Sequence, residues 1–303
     1  MDEYVNYMAV EFVLGGTDWP QNNIKGFRST NDGKFRFVLF DLDGAGSTTA
    51  PFDNFFNKER YTFDALHGYD YSTGESLEQK RRTLDVKFVT LFKNLLNNET
   101  FRKKFIDAYC VVAGSVFQPK YVKSIVNETA DLLSQGGYVN PTSTAKSLIS
   151  HFGSDSYNTT ITGQLKNCSY MQLSKVESQQ ASISSNVSSA KIELNGMELP
   201  YTEFNGRLFA PITLKAVAPA GYKFVGWKDA SATQSESSTA YVSEETEYTL
   251  PSSGTQSVCA MFEKLTDEET SSKGIVPVRV NEISAANSMY INDYCKKIGR
   301  AHV

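Results

Sequence analysis

The sequence predicts an α+β chain: a β-hairpin attached to a helical bundle, followed by a small all-β module. Three observations carry that assignment. Two apolar runs flank the turn residues Asn31-Asp32-Gly33, apolar positions recur at helical spacing between residues 84 and 150, and short β-type runs alternate with Gly, Pro and Asn beyond residue 190. At 303 residues the chain is long enough for a large core and about two domains.

Val5, Met8, Ala9, Phe12 and Val13 recur with the helical period, and Gly15-Gly16 then stops the run, so a first helix ends just before TDWPQNN. NIKGFRS, the Asn-Asp-Gly turn and KFRFVLFDLD follow as a hairpin, because those turn residues supply positive φ readily. A turn centred near Asp32 pairs residues whose numbers sum to about 64, which sets Asn23 opposite the region of Asp41. From Ser76 the period changes. Leu84, Phe88, Leu91, Phe92 and Leu95 mark one helix, and Phe101, Phe105, Tyr109, Val112 and Val116 mark a second. Pro119 opens a third that ends at Gly136-Gly137, and Pro141 opens a shorter fourth, each Pro standing where a first-turn amide needs no partner. Residues 154–190 are rich in Ser, Thr, Asn and Gln, and SQQASISSNVSS reads as a loop or linker. Beyond it KIEL, PITLKAVA, YKFVGW, AYVS, EYTL and SVCAMFE read as short strands of an all-β module.

Composition removes several classes of function. A formal charge of -4 and a pI near 5.6 leave no electrostatic footprint for nucleic acid or an anionic membrane. The basic clusters KRR at 80–82 and RKK at 102–104 read as solvated helix faces. No apolar run reaches the ~18 residues of a membrane span, and MDEYVNYMAV shows neither a basic nor an apolar region of a signal peptide. Cys110, Cys168, Cys259 and Cys295 lack C-x-x-C spacing and His67, His151 and His302 are scattered, so no zinc site is indicated. Cys110 reads as a core residue and His67 as structural; the redox compartment stays open.

The chemistry concentrates in the first forty-six residues. Phosphoryl transfer needs a residue that orients or deprotonates the attacking hydroxyl, and oxygen ligands that hold magnesium over the phosphates. TDWPQNN places Asp18 and Asn23 at the D-x-x-x-x-N spacing of a protein-kinase catalytic loop, and the hairpin returns Asp41 to Asn23. Each element alone has a plainer reading, the loop as a turn and the Asp41/Asp43 pair as a cap. VLFDLDGAG also fits the D-x-D of a dehalogenase-type phosphatase, which would need a doubly wound parallel sheet, a later Lys and a further acidic pair.

NYMAVEFVLGGTDWPQNNIKGFR, GKFRFVLFDLDGAG and LFKNLLNNETFRKKFIDAYC together resemble the carboxy-terminal lobe of the CotH family of atypical secreted protein kinases, over about residues 3–155. The resemblance implies a kinase-like lobe, with ATP-dependent phosphorylation of Ser or Thr on protein substrates and Mg2+ as the metal. It makes Asp18 the catalytic-loop carboxylate, Asn23 a metal or loop-stabilising amide and Asp41 the magnesium-binding Asp, with Asp43 a second candidate for that role. The H-R-D and D-F-G spellings are absent, since Gly16-Thr17 precede Asp18 and no D-x-G occurs at Asp41.

ITLKAVAPAGYKFVGWKD with EYTLPSSGTQSVCAMFEK resembles a divergent InlB B-type repeat, whose surface-protein setting implies an extracellular or cell-surface location. Tyr222, Phe224 and Trp227 read as its packed core in preference to an exposed ligand platform. VRVNEISAANSMYINDY resembles the opening of a lamin-tail-like domain, and IGRAHV at 298–303 matches a reading frame of a sequencing adapter. The expected organisation is a kinase-like lobe at 1–155, a Ser/Thr-rich linker at 156–190, the β module at 191–265 and the lamin-tail-like start at 275–297. Only 17 residues precede Asp18 and they read as one helix, so the chain is expected to be a piece of a larger kinase, inactive without its ATP-gripping lobe. The rival expectation is a noncatalytic bacterial surface or adhesion scaffold.

Overall fold

The computed structural model describes residues 2–66, 69–70, 75–76, 79–138, 140–231, 241–266 and 269. His67, Cys295, the lamin-tail-like stretch and residues 298–303 lie outside them. Helix α1 (Asp2–Leu14) ends where Gly15 turns to a φ of 61°, a left-handed conformation that glycine enters without steric cost. Strands β1 (Lys25–Arg28) and β2 (Phe35–Val38) form the expected antiparallel hairpin. Its register pairs Lys25 with Val38 and Arg28 with Phe35, one residue from the expected sum, because the turn centres between Asn31 and Asp32. α1 carries the hairpin on Phe37, whose ring stacks on Tyr7 at 5.1 Å and tilts against Tyr4 at 5.4 Å. Arg36 adds ion pairs to Asp32 at 2.6 Å and Glu3 at 3.4 Å.

Helix α2 (Pro51–Phe56) leads into β3 (Arg60–Leu66), which pairs antiparallel with β6 (Gln79–Asp85); β4 (Tyr69–Asp70) and β5 (Glu75–Ser76) pair between them. KRR at 80–82 therefore lies on a strand and not on the expected helix. Leu84, assigned by its spacing to the next helix, also sits in β6 and is exposed. Pairing with a strand some twenty residues earlier outweighs local periodicity there. Helices α3 (Lys87–Leu95) and α4 (Glu99–Val111) follow, and α4 runs on as a π-helical turn, Val112–Val116. Asn98 caps α4 by accepting the Phe101 N–H at 2.9 Å. α5 (Pro119–Gln135) and α6 (Pro141–Phe152) each begin at the proline that signalled them.

Residues 156–190, expected as a linker, instead carry α7 (Tyr157–Asn167) and β7 (Ser178–Ser185). In β7 only Gln179, Ala181 and Ile183 point inward and are buried, so an interior strand is spelled almost wholly in polar residues. The remaining strands are β8 (Lys191–Leu194), β9 (Met197–Glu198), β10 (Phe204–Phe209), β11 (Thr213–Val217), β12 (Tyr222–Asp229), β13 (Glu247–Thr249) and β14 (Gly254–Lys264). They form two four-stranded sheets, ordered β10-β7-β14-β12 and β13-β11-β8-β9, with β7 and β14 parallel. Of AYVS, Ser243 makes only an isolated bridge to Trp227. Trp227 is fully buried, with Phe224 edge-on to it at 5.7 Å, the packed core expected of those rings. Cys110 is buried as expected, and Cys110, Cys168 and Cys259 are free thiols.

The helical part and the sheets share one apolar cluster. At the seam the π turn lays Gly114 against β10, where an added Cβ would stand 2.4 Å from Cε2 of Phe204. Gly114→Ala is expected to cost about 1–3 kcal/mol of stability through overpacking. Gly163→Ala, inside α7 with no atom closer than 4.0 Å, is expected to gain ~0.5–1 kcal/mol; paired denaturation curves check both. Asp107, buried in α4, accepts a hydrogen bond from Asn195 Nδ2 at 3.0 Å, and burial pushes its carboxyl up to about 6. The folded chain thus holds this proton more tightly, so the stability it contributes is present below the ordinary carboxylate range and lost as pH rises through about 6. Asp107→Asn should flatten that loss, worth roughly 2–3 kcal/mol at neutral pH, in denaturation midpoints measured from pH 4 to 7.5.

Candidate active site

The loop between α1 and β1 is anchored by Trp19. Its ring lies edge-on to Phe12 at 5.3 Å and against Phe55 at 4.9 Å, and its indole N–H donates to Tyr7 Oη at 3.0 Å. Irregular backbone needs partners for its polar groups, and three segments supply them. Lys58, buried on the turn after α2, donates from Nζ to the Thr17 carbonyl and to the Trp19 carbonyl at 3.0 Å. Asn54 donates to the Gly16 carbonyl at 3.2 Å, and the Thr17 N–H donates to Ser47 Oγ at 3.0 Å. Burial pulls the Lys58 ammonium down to about 8, opposed by the charge of Asp18.

Asp18 is thereby held half-buried. Asn23 donates from Nδ2 to Asp18 Oδ2 at 2.6 Å and to the Asp41 carbonyl at 3.3 Å. Both acceptors sit on the amide nitrogen, leaving Oδ1 of Asn23 as its free oxygen. The structure therefore brings Asp18, Asn23 and the Asp41 backbone together, as the hairpin register implies. Asn23 and Asp41 stand at φ 59° and 56°, a region that residues with a Cβ enter at a cost and that clusters at functional sites. A three-residue helical turn, Leu42–Gly44, follows Asp41. Asp41 and Asp43 are both exposed. Gly44 and Gly16 leave room for the Asp18 carboxylate, whose Oδ1 would lie 3.1 Å and 3.5 Å from Cβ atoms added there.

A cavity of about 10 Å³ lies among these groups, lined by Glu11, Asp18, Asn23 and Asp41 with the backbone around Gly44. Sequence reading missed two participants. Lys58 carries no local motif, and Glu11 sits on the buried stripe of α1, 3 % exposed, with Oε1 unpartnered. Its departure from the apolar spacing of α1 was the available signal. Burial raises the Glu11 carboxyl to about 7, aided by the nearby charge of Asp18. The donors are all hard oxygens, the set magnesium takes. Among the described residues no three His, Cys, Asp or Glu side chains converge to hold a metal ion, so protein atoms alone would supply only part of a coordination sphere. The phosphatase reading of the Asp41/Asp43 pair finds no support, because among the described residues β2 pairs antiparallel with β1 alone and no parallel sheet surrounds it.

A profile of the CotH kinase protein family matches residues 1–172. This is more than half of the chain and reaches past α7, beyond the stretch whose motifs carry the resemblance. The chain belongs to that family, and its first part is a kinase-like α+β unit. A second profile, the divergent InlB B-repeat domain, matches residues 210–266; β7, β8, β9 and β10 lie outside it yet complete both sheets. No curated protein and no solved structure matches the chain.

Lys58→Met removes the ammonium that ties two loop carbonyls. It should cost about 1–3 kcal/mol, the penalty for leaving buried polar groups unpaired, and speed hydrogen exchange in residues 16–23. Unchanged exchange there would show that the aromatic packing of Trp19 holds the loop alone.

Proposed function

We propose that this region provides the catalytic-loop carboxylate and the magnesium ligands of an ATP-dependent protein kinase acting on Ser or Thr hydroxyls. The observation that carries the reading is the Asp18–Asn23–Asp41 junction. Asp18, rigidly seated and half-exposed, would orient the substrate hydroxyl and accept its proton. Asn23 Oδ1 and the Asp41 carboxylate, with Asp43 as a second candidate, would hold Mg2+. Magnesium binds through one or two carboxylates with waters and substrate phosphates completing the shell, which agrees with the sparse protein donor set. When bound, it would neutralise charge on the transferring phosphoryl group.

None of the described residues lining the cavity is a lysine or arginine, so we infer that the phosphates are gripped from outside this cavity, by a further lobe, and that residues 1–303 do not turn over by themselves. Val38, Leu39, Phe40 and Leu42 stand exposed beside the cleft, an apolar surface of the kind a second lobe covers. Both matched families point to a surface or extracellular setting, and no described helix is long and apolar enough to cross a membrane. The B-repeat match favours a second reading, a noncatalytic surface scaffold on a kinase-like fold.

One assay separates the two. The chain, extended upstream through its gene, should incorporate phosphate from ATP and magnesium into protein, and Asp18→Ala should lower the rate by about 10²–10⁴-fold. Incorporation at an unchanged rate by the Asp18→Ala variant would overturn Asp18 as the catalytic-loop carboxylate, and none by either protein with no nucleotide binding would leave the scaffold reading.

A further inference from the structure

An open groove of about 970 Å³ lies where α1 and α4 face the β13-β11-β8-β9 sheet, and it shares no residue with the Asp18 cavity. Its lining carries six carboxylates against three lysines. The sheet contributes a charged row, because Glu247, Lys215, Glu193 and Glu198 are successive register partners, on the face opposite the buried Ile192, Leu194 and Leu214. Glu193 stands directly across from Glu198, a like-charge pairing that destabilises a sheet. Lys191 answers Glu198 at 2.9 Å and Lys104 answers Asp2, but among the described residues Glu99, Glu193 and Glu247 close no ion pair.

Asp107 lines the same groove from α4 and is 6 % exposed. Asn195 fixes its orientation: Oδ1 of Asn195 accepts the Thr213 N–H at 2.9 Å while Nδ2 donates to Asp107 Oδ2 at 3.0 Å. The other carboxylate oxygen, Oδ1, makes no hydrogen bond among the described residues, and unlike the sealed oxygen of Glu11 it keeps accessible surface. Lys103, one turn earlier on α4, acts on Asp107 through its charge without forming an ion pair. A nearly buried carboxylate with one open oxygen is matched best by a cationic donor. Among the described residues no three His, Cys, Asp or Glu side chains converge to hold a metal ion, which leaves an ammonium or a guanidinium. Met197 in the lining offers apolar surface to the aliphatic stem of such a group. The carboxylates are spread over α4 and three strands, in a groove as large as the clefts that enclose whole small molecules, so a chain with several cationic groups satisfies them better than a lone amine. We propose that this groove docks an extended peptide segment rich in arginine or lysine, one of whose side chains bonds Oδ1 of Asp107. The proposal is independent of the phosphoryl-transfer reading, and either can fail alone.

The test is fluorescence anisotropy of the full chain with a labelled peptide of alternating glycine and arginine, using the glycine-glutamate peptide, spermidine and calcium chloride as competitors. The arginine peptide is expected to bind with a Kd of about 10–100 μM at low salt and more weakly as salt screens the charges, with no competitor displacing it at equal concentration. Asp107→Asn keeps an acceptor for Asn195 and removes the charge, and should weaken binding about tenfold or more. Glu128→Gln, on the exposed surface of α5 outside the groove, removes one negative charge elsewhere and should leave the affinity unchanged. If Asp107→Asn loses its fold, the double variant Glu193→Gln, Glu247→Gln on the sheet serves in its place and should weaken binding by about threefold or more. No binding up to about 1 mM, equal weakening by Glu128→Gln, or displacement by spermidine or calcium would overturn the proposal.

Discussion

Everything at the candidate site depends on the burial of one side chain. Trp19 is 4 % exposed and fills the gap between α1 and α2, so the residues on either side of it have little freedom. Asp18 is then presented at the surface by a loop that would otherwise sample many conformations, since ordering each backbone residue costs about 1–2 kcal/mol. The aromatic network extends this constraint. Phe12 touches Trp19, Phe52, Phe55, Phe92 and Phe105 within 5.7 Å, which ties the loop to three helices at once.

The charge pattern follows from the same packing. Glu11 and Lys58 lie beneath the loop, one raised and the other lowered in proton affinity by burial, with Asp18 between them in effect. Burying a carboxyl with an unpartnered oxygen is costly, whereas the buried ammonium is offset in part by its two carbonyl acceptors. Both lie close to Asp18, whose charge raises the proton affinity of each. Strain adds to the same point, with two residues in the left-handed region facing each other across the hairpin mouth.

The two parts of the chain are bonded as well as packed. Besides the glycine contact of Gly114 with Phe204, Lys120 pairs with Glu203, and Tyr121 donates to the same carboxylate at 3.2 Å. The seam is built in part from strands that lie outside the B-repeat match. β7 supplies the parallel partner of β14, while β10 presses on the π turn of the helical unit.

Local patterns in the sequence were enough for α1 and its glycine stop, the β1–β2 hairpin, the proline starts of α5 and α6, and the meeting of Asn23 with Asp41, because each is encoded within a few turns of chain. The three-dimensional fold alone decided the β3–β6 pairing, the strand hidden in SQQASISS, and the roles of Glu11 and Lys58. These depend on partners far away in sequence: an inward polar residue or a buried ammonium reveals nothing until the group that satisfies it is in place.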